Sequence, residues 1–181
     1  MSKVPYSDRS DIDRVTANWT KTLGLFARRE YSLSIVRAAV TAELALNFAI
    51  RQELHARRAL PIEFVNGLLK WANGIEGTIS KLLLPISLET PAHEPLGDIA
   101  KALRRLNSER NAIAHRGEFR GKDTAQEFVS VARSQIAALM TLYDASFALK
   151  PFDPTATQMR SAMVPGGVMV SMPMHPSSDE D

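Results

Sequence analysis

One spacing narrows the fold more than any other feature. Between about residues 9 and 150 the apolar side chains recur three and four positions apart, and no stretch alternates as a half-buried strand would. A period near 3.6 gathers such residues into one stripe along an α-helix. Ile12, Val15, Trp19, Leu23 and Phe26 mark a first helix over 9–28, with a break near Arg28, Arg29 and Glu30. A second, over 31–57, carries Leu33, Val36, Val40, Leu44, Phe48, Ile50 and Leu54, while six further apolar residues, five of them alanines, fill its other faces. A helix apolar nearly all round belongs at the centre of a bundle or of an oligomer.

A third stripe runs from Ile62 to Leu83, with Pro61 suited to its first turn and Pro85 placed to end it. Gly67, Gly74 and Gly77 either weaken that helix or admit a close neighbour. The proline-containing stretch after it reads as a loop. Leu96, Ile99, Leu103, Leu106 and Ile113 define a fourth helix that stops at Gly117, and Asp123 or Thr124 caps a fifth whose stripe reaches Phe147. The fold expected is an all-α bundle of four to five helices, with the domain spanning 9–150. Residues 151–181 hold five of the ten prolines and five of the seven methionines without a helical period, so they read as a flexible tail. A Met-rich segment of that kind can also serve as an adaptable binding strip.

At 181 residues the chain suits one domain with a sizeable core. It contains no cysteine, which excludes disulfides, thiolate metal sites and a cysteine nucleophile. Its N-terminus, MSKVPYSDRSDID, lacks the apolar centre of a secretory signal, and no apolar run reaches the roughly 18–20 residues of a membrane span, so the expected setting is cytoplasmic and away from membranes. The formal charge of +2 argues little, but the distribution is uneven. Between positions 101 and 122, Lys101, Arg104, Arg105, Arg110, Arg116, Arg120 and Lys122 face only Glu109 and Glu118. Such a strip is either a solvated face or a phosphate contact.

The fourth helix steps Leu96, Ile99, Leu103, Leu106 and then Arg110, putting a guanidinium in a slot that the spacing assigns to the core. The second shows a matching gap, where Glu43 and Asn47 interrupt the stripe of Leu33, Val36, Val40, Ile50 and Leu54. Buried polar groups need partners, so the simplest arrangement pairs Glu43 with Arg110 and completes it with Asn47 and Asn111. Taken alone, that pair has a purely structural reading as a register lock. His115 adds chemistry. At roughly 100° per residue it lies about 40° from Asn111 and about 140° from Arg110, within reach of a long arginine side chain.

An imidazole to move a proton and a fixed guanidinium to hold a phosphoryl group suit cleavage of RNA by its own 2′-hydroxyl, which needs no metal. The stretch RNAIAH, with Arg110, Asn111 and His115, resembles the R-x(4-6)-H motif of HEPN domains, whose fold is a bundle of four or five helices carrying the motif near the end of a late helix. The resemblance covers roughly residues 9–150. It implies a metal-independent endoribonuclease without cofactor, of a kind found in toxin–antitoxin systems, phage defence and RNA processing. It further implies a homodimer whose two motifs form a composite site, and a protein regulator or antitoxin as partner. Arg110, His115 and Asn111 would be catalytic, with Glu43 and Asn47 in support. Lys101, Arg104, Arg105, Arg116 and Arg120 would hold the RNA backbone. HEPN toxins paired with a nucleotidyltransferase antitoxin resemble R-x4-H-x-Y; here Gly117 stands where that tyrosine would be, so control through it is not implied.

The alternative is a non-catalytic helical interaction module of the same fold, with a structural Arg110–Glu43 pair. Among the remaining signals, His55, His93 and His175 lack metal-ligand spacing, so no metal site is expected, and the GGV at 166–168 follows no strand. Trp19 and Trp71 fall in helical stripes and are expected in the core or an interface rather than as base-stacking platforms.

Overall fold

A computed structural model describes Pro5, residues 8–88, Thr90 and residues 92–155. Among these residues there is no strand, and the fold is all-α. It comprises α1 (Asp11–Ala27), α2 (Tyr31–Arg51), α3 (Ile62–Ala72), α4 (Gly74–Thr78), α5 (Leu84–Ser87), α6 (His93–Arg116) and α7 (Lys122–Thr141), with π-helical turns at Gln52–Ala56 and Ile79–Leu83. The Ser10 hydroxyl accepts from the Asp13 N–H and starts α1. Arg29, at φ 65°, turns the chain back into α2, so α1 and α2 form an antiparallel pair. Its far end is locked where Arg51 donates to both Asp11 carboxylate oxygens at 2.9 Å.

α2 runs through the middle, against α1 and α7 on its long sides and α6 beside them. Its buried face is built largely from Ile35, Ala38, Ala39, Ala42, Ala45, Leu46 and Ala49, and these small side chains let neighbouring helices come close. With its π turn this helix, Tyr31–Ala56, is long and apolar enough to cross a membrane by length and composition, contrary to the expectation from apolar runs; most of it is buried inside the bundle. The stripe chosen from spacing joins the core only at its C-terminal end, where Phe48, Ile50 and Leu54 are buried. Leu33 is 53 % exposed, and Val36, Val40, Glu43 and Asn47 are only half-buried. On a helix apolar all round, periodicity does not say which face turns inward.

The third segment is one helix in the sequence pattern and three pieces in space. Asn73 and Gly74 take left-handed backbone at φ 58° and 80°, which breaks the helix after Ala72. Gly77 is obligatory there, because a Cβ on it would lie 1.6 Å from the Ala72 carbonyl oxygen. Pro85 does not end the segment; it sits at the start of α5, where no N–H is needed.

Gly117, at φ 67°, stops α6 where the sequence predicts. α7 begins at Lys122, beside the predicted caps, but ends at Thr141, short of Phe147. The Asp144 carboxylate accepts from the N–H and hydroxyl of Ser146 and holds a turn, so Tyr143 and Phe147 pack on the core from outside a helix. The bundle also runs past residue 150. Trp19 Nε1 donates to the Lys150 carbonyl at 2.8 Å, and Phe152 meets Phe26 edge-on at 4.9 Å. The tail reading for 156–181, Met-rich strip included, lies outside the described residues. Trp19 is fully buried as expected, whereas Trp71 is 60 % exposed, with the Lys81 ammonium 4.6 Å over its ring.

Candidate functional site

The last three turns of α6 carry the motif. Leu103 and Leu106 anchor this helix in the core, and Ala112 is buried beyond them, which leaves Arg110 and Asn111 half-buried at the edge and His115 exposed at the final turn. Arg110 Nη1 donates to Asn111 Oδ1 at 2.9 Å. That bond fixes one side of the guanidinium and leaves its other N–H groups for a ligand. The imidazole of His115 has no hydrogen-bond partner among the described residues.

The predicted Arg110–Glu43 pair does not form within the chain, because Glu43 lies on the half-exposed side of α2 and not on its buried face. Glu43 and Asn47 instead open into a cleft of about 560 Å³ between α2 and α3, lined also by Arg51, Asn66, Leu69, Lys70, Asn73 and Gly74. Arg51 Nε donates to Asn66 Oδ1 at 3.1 Å on its floor. Sequence reading missed this polar wall. The available signal was Asn66, Lys70 and Asn73 at spacings of four and three, one face of α3.

The basic strip is largely neutralised from within. Arg104 pairs with Glu76 at 3.0 Å and Arg105 with Glu127 at 3.3 Å, so carboxylates distant in sequence fold back onto it. Arg116 pairs with Glu118 at 2.6 Å, and Arg120 bridges Glu118 and Glu109. The hydrogen bonds from Arg116 and then Arg120 hold the Glu118 carboxyl below its ordinary value, and Glu118 and Glu109 in turn raise the Arg120 guanidinium. Lys101 remains exposed on α6. Arg110 is the exception among the arginines of this segment: half-buried, and in no ion pair among the described residues.

The other histidines described serve as local ties. His55 Nδ1 lies 2.7 Å from the Leu60 carbonyl oxygen, and His93 Nδ1 lies 3.0 Å from the Ser87 hydroxyl. No family model, curated protein or solved structure matches the chain.

Proposed function

We propose that this chain is a metal-independent endoribonuclease of the HEPN type, cleaving RNA by attack of a ribose 2′-hydroxyl on the adjacent phosphorus. The observation that carries the reading is the isolation of Arg110. Each of its basic neighbours Arg104, Arg105, Arg116 and Arg120 has a carboxylate partner, while this half-buried guanidinium meets only a neutral amide. A partly desolvated cation without a counter-ion is a place for an anion, and a guanidinium matches a phosphate bidentately. His115, on the same helix end, takes the 2′-hydroxyl proton as the 2′-oxygen bonds to phosphorus. The bond from phosphorus to the 5′-oxygen breaks, a proton passes to that oxygen from the imidazolium or from water, and the products are a 2′,3′-cyclic phosphate and a 5′-hydroxyl. Asn111 orients the guanidinium. The phosphate charge that grows as the oxygen attacks is then met by a group that is already fixed.

The homodimer belongs to this proposal. Leu33, Val36 and Val40 form an apolar strip on the outer side of α2 with Glu43 on the same line, and a second copy laid against it would bury that strip. Arg104, Arg105 and Arg116 contact RNA in this reading only by exchanging exposed carboxylate partners for phosphates, an exchange of low cost because exposed ion pairs contribute little. Arg120, whose pair with Glu109 is mostly covered, keeps its carboxylates and shapes the strip. A protein regulator or antitoxin, and a toxin, defence or RNA-processing setting, belong to the same proposal.

The test is cleavage of a single-stranded RNA in the presence of chelator, beside DNA of the same sequence and the His115→Ala variant. RNA should be cut, DNA should survive for want of the 2′-hydroxyl, and the variant should be inactive yet folded. Cleavage persisting in His115→Ala would falsify the reading.

A further inference from the structure

Phe119 is 91 % exposed, the most exposed large apolar side chain among the described residues, and yet it sits on a tightly held loop. Residues 117–121 join α6 to α7. The Glu118 N–H reaches back to the Ala112 carbonyl at 3.3 Å. The Arg120 N–H donates to the Ser32 hydroxyl of α2 at 2.8 Å, and its guanidinium holds Glu109, Glu118 and the Phe119 carbonyl. The backbone on both sides of the ring is therefore fixed to two helices while the ring itself touches water. With the backbone already held, covering the ring costs only the freedom of its two side-chain torsions.

Two kinds of cover suit an aromatic ring. A protein interface needs a broad surface, about 800 Å² per partner, with an apolar centre. Phe119 is flanked instead by Arg116, Glu118 and Arg120. A nucleic-acid base needs only one π face, and Arg116, exposed and paired only with the exposed Glu118, can turn to the adjoining phosphate. The ring follows His115 by four residues, a separation of at most about 14 Å along an extended chain. That is short enough for neighbouring nucleotides of one strand.

We infer that Phe119 is a stacking platform for an unpaired base of single-stranded RNA next to the phosphate held by Arg110 and His115. The inference rests on the ribonuclease reading for its position and adds a substrate preference, unpaired over duplex RNA. Stacking acts on substrate and transition state alike, so loss of the ring raises KM and leaves kcat near its original value.

The probe is a labelled single-stranded 2′-O-methyl oligonucleotide, which keeps bases and phosphates but lacks the attacking hydroxyl, so binding is read without cleavage. Phe119→Ala should weaken binding by about five- to a hundredfold, Phe119→Trp should retain it, and Phe119→Leu should lose most of it. An oligonucleotide with one abasic position should bind the wild-type protein more weakly at that position and bind Phe119→Ala no worse than the intact strand does. Equal binding by wild type and Phe119→Ala overturns the stacking role, as does equal binding by Phe119→Leu. A change of oligomeric state in Phe119→Ala, read by sedimentation, assigns the ring to a protein contact and overturns it too. The enzyme reading is judged separately on unmodified RNA: cleavage with unchanged Phe119→Ala binding removes stacking alone, and binding loss without cleavage removes the enzyme alone.

Discussion

Replacement of Arg110 by alanine separates a structural arginine from a catalytic one. Had the side chain been locked to a buried glutamate, truncation would strand a carboxylate and cost about 3–5 kcal/mol of stability. Here it has one side-chain hydrogen bond, to Asn111, and is half-buried without a counter-ion. The loss is then one hydrogen bond and some packing of the stem, about 1–2 kcal/mol. For a chain of this size that lowers the melting temperature by roughly 2–8 °C. Loss of a fixed cation at a developing phosphoryl charge costs far more, about 10²–10³-fold in rate, by analogy with removal of one oxyanion donor. Urea titration with an unchanged slope and single-turnover cleavage of single-stranded RNA measure the two effects on the same preparation. Arg110→Lys should keep the fold and recover only part of the rate, since an ammonium cannot grip two oxygens in a plane. A stability loss of 3 kcal/mol or more, or cleavage by Arg110→Ala at the wild-type rate, would refute the assignment of a free, phosphate-facing guanidinium.

Four further substitutions test the fold. Gly77→Ala should destabilise by about 1–3 kcal/mol or more in a denaturant titration, because its methyl meets the Ala72 carbonyl and only a backbone shift can relieve it. Gly67→Ala, with open space around its Cβ, should be neutral or stabilising by comparison. Glu53, 6 % exposed, takes hydrogen bonds from Arg57 at 2.7 Å and Arg58 at 2.8 Å. Glu53→Ala should cost about 2 kcal/mol, less than a fully buried pair, since both arginines regain water; calorimetry would read it, and an unchanged melt would contradict the role. Burial first, and the nearby Glu53 second, push the Tyr143 phenol well above the tyrosine value of 10.0. The folded state then keeps a proton that the unfolded chain gives up, so stability should fall as pH rises past about 10. Tyr143→Phe should flatten that alkaline limb.

The positions of the candidate residues on α6 were legible because polar residues in apolar slots stand out against a period. Arg110, Asn111 and His115 fall on α6 with Gly117 closing it, as the spacing predicts. The Arg110–Glu43 pairing was not legible in the same way. It assumed that both polar gaps faced inward, and on α2 almost any face is apolar enough to do so. Likewise the basic strip looked unopposed only because Glu76 and Glu127 are far away in sequence. Trp71 shares a helical period with the core yet stays outside it, since α3 rests on the bundle by one narrow side.

By itself the order of residues determined that this chain is helical, where α6 stops, and which arginine is out of place, because period, caps and left-handed glycines act within a few positions of the chain. Only the tertiary structure decided which side of α2 is buried, which charges neutralise one another, and that Arg110 is left without a carboxylate. Those outcomes depend on competition between whole helix faces for one core, and the stripe of small alanines won it by allowing the closest packing.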